Sequence, residues 1–170
     1  MSIDEGMELR TWVNASYGVH QDMRGQMGGA MSPGKGILHH KTRKQKLNTK
    51  STTESEVVGA SVYLPHTVWI TCFLQDQGYT LGKNIYFQDN QSSIKLTTGN
   101  FGPRSEKSRH INIRYFFIKD ILQRENIKLV HCRTERMIAD YFTKPLQGKL
   151  FKVICSFIMG HSKIPIEERV

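Results

Sequence analysis

Three acids in this sequence stand where chemistry tends to sit: Glu56, Asp89 and Asp140. Glu56 falls in the first turn of a long amphipathic segment. Asp89 ends a short apolar run and opens the next periodic segment, and Asp140 follows the last apolar run. Hard divalent ions such as Mg2+ take carboxylate, phosphate and water oxygens, so carboxylates brought together from separate elements suit them. Two such ions about 4 Å apart activate an attacking water and stabilise the leaving oxygen of a phosphodiester. Each acid also has an ordinary reading, which taken singly explains it more simply. Glu56 completes a capping box with Thr53, Asp89 is a helix N-cap, and Asp140 is a solvated helix residue near the charge of Lys144.

The elements that must position these acids are legible from periodicity. Leu9–Tyr17 alternates as a strand, and Gly25–Gly36, with Gly28-Gly29 and Pro33-Gly34, reads as a turn region. Residues 36–41 read as a further short strand, so the early chain is expected to be an antiparallel β-meander. Val57, Ala60, Leu64, Val68 and Cys72 then recur at three- and four-residue spacing, which predicts a helix from the Thr53 cap to Gly78. Pro65 is expected to kink it. A buried strand over Asn84–Asp89, a helix from Asn90 to Gly99 and a basic loop over Asn100–Arg109 follow. A third helix is predicted over Ile111–Arg124, a last strand over Ile127–Cys132 and a final helix over Thr134–Thr143, stopped by Pro145. Strands first, then helices and strands in alternation, imply an α/β fold. Its expected form is a mixed central sheet with an antiparallel β-meander and helices packed on its faces.

Composition narrows the function classes. A chain of 170 residues with 38% apolar and 23% charged residues has material for one core. No run approaches the roughly 18 consecutive apolar residues of a membrane span, and MSIDEGMELR lacks the order of a secretory signal. An intracellular setting, cytoplasmic or nuclear and without a membrane partner, is expected. Cys72, Cys132 and Cys155 are odd in number and widely spaced, as expected of reduced thiols in apolar settings. His39-His40 is a poor chelate because adjacent strand residues point to opposite faces. The net charge of +9 is concentrated in Lys41–Lys50 and at Arg104, Lys107, Arg109 and Arg114. Such charge fits a polyanionic partner, and equally fits a solvated basic face.

Several longer motifs occur together and in one order. They are Lys44-Gln45-Lys46 with Ser51-Thr52-Thr53-Glu54-Ser55-Glu56, Asp89-Asn90-Gln91-Ser92, Arg109-His110-Ile111-Asn112-Ile113-Arg114-Tyr115, and Ile138-Ala139-Asp140-Tyr141-Phe142-Thr143-Lys144-Pro145-Leu146. Over residues 9–155 the chain resembles the ribonuclease H domain of Ty1/copia-type retrotransposon Pol polyproteins, with 1–8 and 156–170 as flanking segments. The resemblance implies an RNase-H-like fold and cleavage of the RNA strand of RNA–DNA hybrids during reverse transcription. It also implies a two-metal site for Mg2+ or Mn2+ on Glu56, Asp89 and Asp140, no small-molecule cofactor, and the rest of a Pol polyprotein as a partner.

One ligand position departs from the family. Where the pattern places an aspartate on the first strand, this chain has Asn14, in Val13-Asn14-Ala15-Ser16. Asparagine offers one carbonyl oxygen to a metal but no charge. Removing a charge about 4 Å from a divalent ion forfeits on the order of several kcal/mol at an effective dielectric near 20. Even half of that weakens binding more than about tenfold. Metal binding is therefore expected to be weakened and catalysis impaired. The chain also begins almost at its first strand, and with Asn14 this is the expectation for a decayed copy. The alternative reading is a non-catalytic, nucleic-acid-binding remnant of a retroelement. His131 is expected to be a packed or surface strand histidine, and Asp22 a turn residue.

Overall fold

The structure is a computed structural model that describes residues 6–99 and 109–162, the side chains of Arg109 and His110 excepted. Five strands form one mixed sheet: β1 (Met7–Ser16), β2 (Gln26–Ser32), β3 (His39–Lys44), β4 (Leu81–Gln88) and β5 (Lys128–His131). Their order is β3-β2-β1-β4-β5. The expected antiparallel meander occupies one half, with Asn14 opposite Gly28 and Gly28 opposite Thr42. The other half is parallel: Trp12 pairs with Phe87, and Gln88 with His131.

Helices α1 (Thr52–Asp76) and α3 (Arg109–Arg124) supply one core, where Val57, Tyr63, Leu64, Ile111, Tyr115 and Ile118 pack on Leu9, Val13 and Met31. The short α2 (Gln91–Thr98) follows β4. On a second core, Trp12, Ala30 and Phe87 meet Met137, Ile138, Ile154 and Phe157, the last two from α4 (Gly148–Ile158). By length and composition alone α1 could cross a membrane, which the count of consecutive apolar residues did not suggest. Here just over half of that apolar stretch is buried inside the fold. The helix continues through Pro65, which stands on its exposed side.

Four expectations need correction. The Gly25–Gly36 turn region contains β2, a central strand. Its glycines answer to crowding rather than to a turn: a Cβ on Gly29 would lie 2.4 Å from the Tyr63 ring, and one on Gly28 would lie 2.6 Å from Phe142. The helix expected over Thr134–Thr143 is instead two 3-10 turns, Thr134–Arg136 and Ile138–Phe142, separated by the extended Met137. Met137 and Ile138 are fully or almost fully buried, and the chain turns tightly to seat both. The last helix is α4, and Phe157 packs edge-on against Trp12, so ordered packing runs past residue 155. Cys72 is exposed rather than apolar in setting; all three cysteines are free thiols.

Candidate functional site

The acids gather at one end of the sheet because three local choices place them there. Ser51 caps α1 by accepting from the Glu54 N–H at 3.2 Å, while the Glu54 carboxylate accepts from the Lys50 N–H at 2.7 Å. The capping box therefore begins at Ser51, not Thr53, and Glu56 is free to turn inward. Asn90 rather than Asp89 caps α2, its side chain accepting from the Ser93 N–H at 3.0 Å, so Asp89 is likewise released. Asp140 sits in the second 3-10 turn at 2% exposure, which removes its reading as a solvated helix residue.

Asn14 lies at the centre. Its Nδ2 donates to the Asp140 carboxylate and, at 3.4 Å, toward Thr143 Oγ1. Its Oδ1 accepts from the Ala15 N–H at 2.6 Å, a donor that also reaches Glu56 Oε1 at 3.1 Å. The other Glu56 oxygen accepts from Gln88 Nε2 at 3.1 Å, while Gln88 Oε1 accepts from the Asp89 N–H at 2.9 Å. Lys144 Nζ donates to both Asp140 oxygens, at 2.9 and 3.0 Å. Gln88, which lies outside the motifs, and Thr143 and Lys144, which stand within the last of them, are thus structural members of the site. A glutamine closing an apolar strand between Phe87 and Asp89 was the available signal for the first.

Burial and mutual repulsion set the protonation of this group. Desolvation, then the nearby Asp89 charge, pushes Glu56 up to about 8. Asp89 is raised by desolvation and by Asp140, against the opposing charges of Lys144 and His131. Asp140 is also raised by burial, with Lys144 and Asn14 pulling it back. The acids are therefore electrostatically one cluster. Glu56 holds a proton near neutral pH unless a cation joins it.

No family model matches the chain. It is 27% identical over 127 residues to the retrovirus-related Pol polyprotein of transposon TNT 1-94 from Nicotiana tabacum, covering 75% of this chain. It is 24% identical over 141 residues to the transposon Ty1-JR2 Gag-Pol polyprotein of Saccharomyces cerevisiae, covering 83% of this chain. The chain spans 8–9% of the length of these relatives. Among solved structures, LC11-RNase H1 isolated from compost matches with TM-score 0.61 at 12% identity, over 80% of this chain and 92% of that one. The same enzyme in complex with an RNA/DNA hybrid matches with TM-score 0.59 at 12% identity, over 79% and 93%. Its relatives are Ty1/copia-type Pol polyproteins, and its fold is that of RNase H.

Carboxylate oxygens are the donors that a hard divalent cation takes. In this RNase H fold the donors fit such an ion in kind, being buried carboxylates, but not in their present disposition. Among the described residues no group of three or more His, Cys, Asp or Glu side chains is set to hold a metal ion. Both Asp140 oxygens accept from Lys144, and each Glu56 oxygen from a neutral N–H donor.

The remaining expectations divide. His131 is exposed on β5, and Asp22 is an exposed turn residue paired with Lys44 at 2.7 Å and Arg24 at 3.4 Å. His39 and His40 do face opposite sides, one toward Tyr63 and His66, the other stacked on Phe142. Of the basic run, Lys41 is engaged with His66 and Lys44 with Asp22, while Arg43, Lys46 and Lys50 are exposed. Arg114 donates to Ser61 Oγ at 2.6 Å. Arg104 and Lys107 lie outside the described residues, as do the side chains of Arg109 and His110.

Proposed function

We propose that this chain is an RNase H-type domain of a Pol polyprotein. It engages RNA–DNA hybrids, but its divalent-metal-dependent cleavage of the RNA strand is severely impaired. The observation that carries the impairment is that an amide, Asn14 Nδ2, faces Asp140 where the family pattern has a carboxylate. An aspartate there would set a second negative group against Asp140, a pair that a cation between them or a shared proton relieves. With Asn14 the pair is satisfied by a hydrogen bond, and the demand for a cation falls.

Hybrid engagement is supported by the solved RNase H of the same fold that holds an RNA/DNA hybrid, and by the exposed Arg43, Lys46 and Lys50. Lysine and arginine contacts to phosphates position a duplex without reading its sequence, and their affinity falls steeply with salt. A second reading, a nucleic-acid-binding domain with no hydrolysis, is favoured by the closure of Asp140 by Lys144. Binding of a labelled hybrid at several salt concentrations, with cleavage followed in Mg2+ and in Mn2+, tests both. Salt-sensitive binding with slow cleavage that Asn14→Asp accelerates supports the first reading. Salt-sensitive binding with no cleavage even in Asn14→Asp supports the second, and salt-insensitive or absent binding overturns both.

A further inference from the structure

We propose that Lys144 is a built-in counter-ion that closes the acid cluster, so that a divalent cation must displace its ammonium from Asp140 before the carboxylates can bind it. The inference rests on reading Glu56, Asp89 and Asp140 as a metal site, and deepens it.

The contact is built rather than incidental. The Lys144 N–H donates to the Asp140 carbonyl at 2.9 Å, and the Lys144 carbonyl accepts from the Leu146 N–H at 2.9 Å, fixing the backbone on both sides. Pro145 follows directly and restricts Lys144 to extended conformations. From that anchored base the ammonium reaches both oxygens of a carboxylate that is 3% exposed, while 41% of the lysine side chain remains in solvent. A side chain so placed can enter and leave without disturbing the core.

The reach of its charge supports the same conclusion. Lys144 is the cation whose field acts on Glu56, on Asp89 and on Asp140, opposing the effect of burial at each. That is the electrostatic work a bound divalent ion performs in a carboxylate site. A monovalent ammonium and a divalent ion therefore compete for the same charge. Asn14 holds Asp140 beside the lysine through a separate amide donor, so the two residues close the site by different means.

The test is a Mn2+ titration of the full chain, with free ion followed by its electron paramagnetic resonance signal. Parent, Lys144→Met, Lys144→Arg, Asn14→Asp and the double variant Asn14→Asp/Lys144→Met are compared, with folding of each checked by circular dichroism. Lys144→Met is expected to tighten Mn2+ binding at least about tenfold, equivalent to about 1.4 kcal/mol. Lys144→Arg, which keeps the charge, should leave binding weak. Equal affinity in parent and Lys144→Met, with tighter binding in the double variant that Asn14→Asp alone reproduces, overturns the counter-ion role and leaves the metal-site reading intact. No millimolar binding by any variant overturns both.

Discussion

Two buried carboxylates at the same end of the sheet are accommodated in opposite ways. Asp140, at 2% exposure, keeps a cation: Lys144 bonds both its oxygens and Asn14 adds an amide donor. Glu56, at 3% exposure, has only neutral donors, the Ala15 N–H and the Gln88 amide, and is driven up to about 8. An ion taken out of water needs either a counter-charge or a proton. The cluster therefore splits into a lysine-neutralised corner and a proton-neutralised corner, with Asp89 between them in charge coupling to each.

The largest effect that would break this contrast is in pH dependence without metal. Because the folded-state pKa of Glu56 lies above its ordinary value, its contribution to stability is complete below about 4.5. It is lost as pH rises through about 8. That loss is on the order of 4 kcal/mol. Glu56→Gln carries the neutral form permanently and should gain on the parent across that window in urea titrations; parallel curves would remove the proton-neutralised corner. Next in size, Asp140→Ala strands the Asn14 amide and frees Lys144, and should cost about 3 kcal/mol near neutral pH. At the same pH, Glu56→Gln should be neutral to stabilising, so equal losses at the two positions would erase the distinction. Smallest, because Asp140 can take up a proton in its place, Lys144→Met without metal should cost about 2 kcal/mol. A thermal melt in chelator reads it directly.

The parts legible in the sequence were those set by local periodicity. The three-and-four spacing of Val57, Ala60 and Leu64 marked α1, and alternation marked β1, although both are buried beyond one face: Thr11 to Ala15 of β1 and Ser55 to Ser61 of α1 are buried in succession. The glycines of β2 misled because their reason is tertiary, the Tyr63 ring and Phe142 pressing on the strand from either side. The stretch around Asp140 reads as helical for a similar reason, since the need to bury Met137 and Ile138 outweighs its local preference. For the site, the ordered motifs pointed to Glu56, Asp89, Asp140 and Asn14; in the structure Asn14 bonds Asp140, the Ala15 N–H links Asn14 to Glu56, and Asp89 is coupled to Glu56 and Asp140 through charge. Motifs mark which residues recur, not which partners neutralise them. The part of Gln88 therefore emerged only from hydrogen-bond geometry, whereas the charge of Lys144 near Asp140 was legible and the structure adds its bonds to both oxygens.

The most direct measurement is the single-turnover rate of hybrid cleavage in saturating Mn2+ for the parent and for Asn14→Asp. An impaired RNase H site predicts that restoring the carboxylate raises the rate by about a hundredfold or more, in line with several kcal/mol of regained cation stabilisation. Equal rates in the two chains, whether fast or absent, would contradict the view that Asn14 impairs this site.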